Sequence, residues 1–506
     1  MLKFLRILLI AAAVLVIAFG ATASYLLQDP NRFKPQLETL IEDQSGVPLT
    51  IGGDLGWRLW PPVSITAEDL SADYEGQAWQ VGRLTLDLDA IAAARDPGHW
   101  RVQSLTVNDV TMHQEGSVLT VKQARLSELT PNRPAPVTAE LVYAAEGRQP
   151  LPVTLDGEVS VDPETLDLML RNTRFTTTDA EGTCTLAAKP VADPSPGPAA
   201  TEQDLIPVDL FRAWSWNGEC RLDWVRLDDR QFEDVAVDLS NDAGNSAVIA
   251  RAPRFFGGEA VADIAIDARR APVRWTVTPT LTGVNSKELL EWLDQRLNWL
   301  ASLAYGGTLT FEGNTTDELL ASMSGETRFD GGQGSLHIGA IRDQLLSLAS
   351  MFNEGERIAA WPEMWDYQRF VGNWRINRQH HQLNAALDNL SLAAEGDYRP
   401  ASDEMDVLLT LVFGNDPSLP VFDVNPLLYD LPIPVRCRGA LAEPTCRVDQ
   451  KVAQGIVAEA LGSENSELRS KLEQKIDEDV PEEYRDAARS LLDALGTSLK
   501  GRARDD

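Results

Sequence analysis

Apolar and polar residues alternate in short segments along most of the chain. Leu84-Thr85-Leu86-Asp87-Leu88-Asp89 is strict, as a half-buried strand requires. Leu105-Thr106-Val107 and Val110-Thr111-Met112 flank Asn108-Asp109, which reads as a turn. The same period recurs at Leu166-Asp167-Leu168-Met169-Leu170, Val235-Ala236-Val237-Asp238-Leu239, Ile264-Ala265-Ile266-Asp267 and Thr308-Leu309-Thr310-Phe311. Asp162-Pro163, Gly257-Gly258 and Gly331-Gly332 punctuate it as turns. So many short strands predict antiparallel sheet with one apolar and one wet face.

Period 3.6 replaces period 2 in three places. Leu289, Leu293, Leu297 and Leu300 line a helix after Asn285-Ser286, its N-cap region, and Ile338, Ile341, Leu345, Leu348 and Phe352 line a second. Pro481 opens a third, with Tyr484, Ala488, Leu491, Leu492 and Leu495 as its stripe. From Glu464 on, 12 acidic and 8 basic residues mark a soluble amphipathic tail. Lys189 to Gln203, with four prolines, reads as an extended linker dividing the strand region.

Lys3 and Arg6 precede an uncharged run over residues 7–27. As a helix its 21 residues span about 31 Å, enough for a bilayer core, with the basic end cytoplasmic and the rest exported. A cleaved signal peptide is the rival, since Ala21-Thr22-Ala23 resembles a cleavage site, but Tyr25-Leu26-Leu27 extends the apolar run past it. The expected division is a cytoplasmic N-terminus (1–6), transmembrane anchor (7–27), first β region (28–188), linker (189–203), second β region with two helices (204–450) and helical tail (451–506).

The net charge of −31 over 506 residues changes this picture in one respect. It excludes nucleic acid as a partner and excludes adhesion to anionic lipid by charge, so any membrane attachment is hydrophobic. Four cysteines suit an exported chain. Cys437 and Cys446 bracket a hairpin loop, where a bridge contributes roughly 3 kcal/mol, and Cys184 and Cys220 form the other pair. No Cys-x-x-Cys occurs, and His99, His113, His337, His380 and His381 have no ligand spacing with the cysteines, so no metal or other cofactor is expected. Nucleophile-elbow, zinc-protease and phosphate-loop motifs are absent, and His380-His381 between two glutamines reads as a polar strand end. An enzyme is not expected.

Several short motifs together resemble the AsmA family. They are Asn31-Arg32-Phe33-Lys34-Pro35, Gly46-Val47-Pro48-Leu49-Thr50-Ile51, Gly56-Trp57-Arg58-Leu59-Trp60-Pro61 and Val81-Gly82-Arg83-Leu84-Thr85-Leu86. Phe256-Gly257-Gly258, Leu281-Thr282-Gly283-Val284, Phe329-Asp330-Gly331-Gly332 and Ile433-Pro434-Val435-Arg436-Cys437-Arg438-Gly439 continue the likeness. The doubled Pro61-Pro62 and the Pro/Ala-rich linker depart from it.

The resemblance implies a single-pass inner-membrane protein of Gram-negative bacteria, facing the periplasm and supporting outer-membrane biogenesis. Larger relatives are associated with moving phospholipid along a β groove. Support of outer-membrane protein assembly or lipopolysaccharide levels, with assembly factors as partners, is the alternative. The expected fold is mainly β: an N-terminal transmembrane helix, then an elongated curved antiparallel sheet with a few amphipathic helices. Alternation nominates Leu84, Leu86, Leu88, Leu105, Val107, Leu166, Leu168 and Leu170 as lipid-facing in the first region. Val235, Val237, Leu239, Ile264, Ile266, Leu309 and Phe311 continue them in the second. The competing reading of each is a closed core. Trp57 and Trp60 fit either a membrane interface or a core.

Overall fold

The computed structural model describes residues 30–448 except 46, 59–62, 75–76, 90–101, 115–116, 130–132, 146–148, 163–164, 166, 193–203, 296–297, 340–341, 343–357, 400–401, 416–421, 423, 425–428 and 441–444. Beyond 448 it describes 470, 473, 474, 477, 485 and 489. The expected anchor at 7–27 and nearly all of the second and third predicted helices lie outside the described residues. Among the described residues no helix is long and apolar enough to cross a membrane.

The fold is mainly β and divides into two compact units, residues 1–252 with 265–273 and residues 253–264 with 274–506. In the first, a helical turn leads into α1 (Lys34–Ser45), then β1 (Leu49–Ile51), β2 (Leu55–Arg58), β3 (Val63–Tyr74) and β4 (Gln77–Leu88). β5 (Val102–Gln114), β6 (Ser117–Leu129), β7 (Ala135–Ala145), β8 (Leu151–Val161), β9 (Leu168–Thr177) and β10 (Ala180–Pro190) follow. A short α2 (Val208–Ala213) precedes β11 (Trp214–Leu227), β12 (Arg230–Asp242), β13 (Asn245–Phe255) and β14 (Gly258–Asp267), the last two strands being shared with the second unit, to which residues 253–264 belong. From β3 to β13 each strand pairs antiparallel with the next, and β1 and β2 share the free side of β3. This is an open meander.

The second unit continues with β15 (Arg274–Asn285), α3 (Ser286–Trp292), β16 (Trp299–Glu312), α4 (Thr316–Ser322) and β17 (Ser324–Asp330). After β18 (Gly334–His337) and β19 (Met364–Tyr367) come β20 (Phe370–Asn377), β21 (His380–Leu387), β22 (Leu390–Arg399) and β23 (Glu404–Phe413). β24 (Ile433–Gly439) and β25 (Thr445–Val448) end it. The ladder runs β15-β16-β17-β20 and then in sequence order to β25, all antiparallel. β18 and β19 form a side flap on the first residues of β16.

Three details differ from the sequence reading. Asn108-Asp109 is no turn: β5 runs through it in unbroken register, and Asp109 sits at φ +55 opposite Gly82, where a Cβ would lie 2.9 Å from that of Asp109. The helix at Asn285 is short. Asn285 caps it by accepting from the backbone N–H of Lys287 and Glu288, but the helix ends at Trp292, and Leu300 is an exposed residue of β16. Lys189 and Pro190 belong to β10, and β10 pairs with β11 across the Pro/Ala-rich segment, with Pro190 opposite Trp214.

Both expected disulfides are present. Cys184–Cys220 joins directly opposed residues of β10 and β11, and Cys437–Cys446 does the same on β24 and β25.

Candidate functional site

Antiparallel register places like residues opposite one another, so each face of the sheet can be followed from strand to strand. In the second unit one row runs Leu281, Tyr305, Phe329, Gly372, Ala385, Leu392, Leu411, Ile433. The next runs Thr327, Trp374, Leu383, Ala394, Leu409, Val435, Val448. A third runs Val277, Leu309, Gly325, Ile376, His381, Gly396, Val407, Cys437, Cys446. Almost every side chain on this face is apolar.

The intervening residues point the other way and carry the charge. Ion pairs link neighbouring strands there: Arg274–Glu312 at 3.3 Å, Glu326–Arg375 at 3.3 Å, Arg399–Glu404 at 3.4 Å, and Asp406 to Arg436 at 2.7 Å and Arg438 at 3.1 Å. Hydrogen bonding from Arg436, with Arg438 adding to it, holds the Asp406 carboxyl below its ordinary pKa. Exposed pairs of this kind contribute about 1 kcal/mol or less each, so their main effect is to keep this face wet. Between them, Ala304, Asn373, Asn384, Ala393 and Thr410 line an open concavity of about 960 Å³.

His380 belongs to this charged face, with Nδ1 3.1 Å from Asp397 and Nε2 3.3 Å from Glu395. The hydrogen bond to Asp397 raises its pKa above the ordinary value, and Glu395 adds to that. The stabilisation is therefore full below about pH 6.5 and is lost as pH rises through the elevated folded value. An NMR titration should place the His380 midpoint above 6.5, and Asp397→Asn should bring it down. A midpoint unmoved by Asp397→Asn would contradict the pairing.

Aromatic rings cover the apolar face at one strand end. In the second unit Trp299, Phe329 and Phe370 meet edge to face at centroid distances of 5.1–5.8 Å, and the Trp299 indole N–H donates to the Tyr367 hydroxyl at 2.5 Å. Beside them Trp365 stacks on Phe422 at 3.7 Å, with Trp361 and Phe413 against the pair. Away from this aromatic cover Leu309, Leu383, Leu392, Val407 and Leu409 are only half-buried, and Trp374 is 38% exposed. Neighbouring side chains shield these residues laterally, and among the described residues no second layer seals them.

The first unit has the same two-faced build. Val159, Leu170, Leu186, Gly218, Leu239 and Val248 form one apolar row, and Cys184, Cys220, Val237 and Ala250 another. Here α1 supplies a cover at the N-terminal strands, where Leu37 and Ile41 join Leu84, Leu86, Leu88, Leu105 and Val107 in one core. Phe211 of α2 packs edge to face on Trp216, and Asn241 donates to the Phe211 carbonyl at 2.8 Å.

These covers sort the nominated residues. Leu84, Leu86, Leu88, Leu105 and Val107 are paired in register, but they are sealed; Leu86 and Leu105 are 0% exposed, so they present no open surface. Val235 and Ile266 are also buried. Leu168, Leu170, Val237, Leu239, Ile264, Leu309 and Phe311 are half-buried. Leu166 lies outside the described residues. Trp57 is half-buried, its ring 6.5 Å from that of Phe33, and Trp60 is outside the described residues. Strands β20 to β24 were not nominated, although His381, Leu383, Ala385 and Leu387 alternate with polar residues. On β23 the run at 407–413, apolar except for Thr410, hides the period.

Residues 1–90 match the model of the AsmA family, the family that the motifs from Asn31 to Leu86 resemble. No curated protein and no solved structure matches the chain.

Proposed function

We propose that this AsmA-like chain carries phospholipid on the apolar face of its sheets, anchored in the inner membrane and exposed to the periplasm, and so supports outer-membrane biogenesis. The observation that carries the reading is the apolar face of the second unit, half-buried among the described residues, continuous in register across β15–β17 and β20–β25 and backed by a charged face. Acyl chains need such a surface with one side open, because the head group keeps its contact with water. The match over residues 1–90 supports the same placement. Nothing in the reading requires catalysis.

Photo-crosslinking tests it. A crosslinker at Leu309, Leu383, Leu170 or Leu239 should capture lipid, whereas one at Arg375 or Asp238 on the charged face should not. Capture of an outer-membrane assembly factor at the apolar positions, with no lipid at any of them, would replace carriage by a scaffold role.

A further inference from the structure

His381 is an imidazole set into an apolar row, between Ile376 on β20 and Gly396 on β22. It lies at the strand end away from the aromatic cover. The residue is 9% exposed, and its Nε2 is buried with no hydrogen-bond partner among the described residues. With the ring proton on Nδ1, the neutral imidazole presents Nε2 as a bare lone pair. Burial, then the charge of His380, lowers the His381 pKa, with Asp397 and the Arg378 backbone opposing, and the neutral ring prevails at neutral pH.

A buried acceptor without a donor is costly, and Ile376 and Gly396, which face it in register, have no side-chain donor to offer. What the neighbourhood does offer is two rings and a carboxylate. Trp374 lies 5.6 Å from His381 by ring centroids and Tyr398 lies 6.0 Å away. The Tyr398 hydroxyl donates to Asp403 at 3.2 Å. Aromatic faces beside a carboxylate favour a cation, and a neutral lone pair disfavours phosphate.

We propose that His381, Trp374 and Tyr398 form a head-group site that takes the primary ammonium of an aminophospholipid, an N–H donating to Nε2 while the charge lies against the rings. A quaternary ammonium has no N–H to satisfy Nε2. Since Nε2 is closed to water, entry moves the Trp374 ring, the exposed member of the three. The proposal rests on lipid carriage as read above.

The test extracts full-length wild type, His381→Phe and His381→Gln in detergent and measures co-purifying lipid by mass spectrometry. His381→Phe keeps a ring and removes the acceptor; His381→Gln keeps an acceptor oxygen. The ratio of phosphatidylethanolamine to phosphatidylglycerol should fall about fivefold in His381→Phe, the worth of one hydrogen bond, and stay nearer wild type in His381→Gln. Total lipid should not change. An unchanged ratio with lipid present overturns the head-group site and leaves carriage standing. Absence of lipid from wild type overturns both. If His381→Phe does not fold, the comparison is made with Trp374→Ala, whose exposed ring the fold does not need, and an unchanged ratio there overturns the site equally.

Discussion

Leu409→Asp will strip lipid from the second unit and leave that unit folded. Leu409 sits mid-row between Ala394 and Val435 and is half-buried, so a carboxylate there retains contact with water in the lipid-free protein. Under an acyl chain the same carboxylate loses that contact. A charge in hydrocarbon costs roughly 3 kcal/mol even with relaxation, which is about a hundredfold in affinity. Leu86→Asp gives the opposite result. Its side chain is 0% exposed beneath α1, so the charge has no route to water and the first unit should not fold. Lipid per protein by mass spectrometry, beside urea unfolding of each variant, reads both outcomes. Leu409→Asp with a full complement of lipid would sink the carriage reading.

That pair of variants also marks what could be read before the fold was known. Leu86 and Leu309 alternate with polar neighbours equally well, and alternation correctly assigns both to the apolar face. It carries no information on whether that face is covered. Cover depends on residues distant in sequence: Leu37 and Ile41 of α1 join Leu86 in one sealed core, whereas Leu309 stays half-buried. The Cys437–Cys446 pair was legible because only nine positions separate its members, and Cys184–Cys220 followed as the remaining pair. Asp109 was misread because an aspartate tolerates positive φ within a strand as well as in a turn, and only the facing Gly82, which leaves room for it, distinguishes them. His381 was read as a polar strand end. Its twin, His380, fits that description; the two point to opposite faces, and only the register separates their roles.

Asp388→Ala should cost the second unit about 4 kcal/mol, although Asp388 lies in a two-residue turn between β21 and β22. The turn holds the aromatic cover. Asp388 is 5% exposed, and its Oδ1 accepts from the backbone N–H of Gln368 at 2.9 Å and of Arg369 at 3.0 Å. Its Oδ2 accepts from the Trp365 indole N–H at 3.0 Å. Asn389 continues the clamp, accepting from the Phe422 N–H at 2.8 Å and donating to the Gly414 carbonyl at 3.0 Å. The two residues therefore seat both members of the Trp365–Phe422 stack. Alanine orphans three donors at about 1 kcal/mol each and adopts the native φ of +49 with a further penalty of about 1 kcal/mol. Asp388→Asn keeps one acceptor oxygen and tolerates that φ, so it should cost about half as much. Urea unfolding followed by tryptophan fluorescence gives the numbers. Because the cover closes one end of the apolar face, Asp388→Ala should also blue- or red-shift the native tryptophan emission, a change that loss of a peripheral turn would not produce. A wild-type midpoint in Asp388→Ala would show that the stacked rings hold their place without the turn.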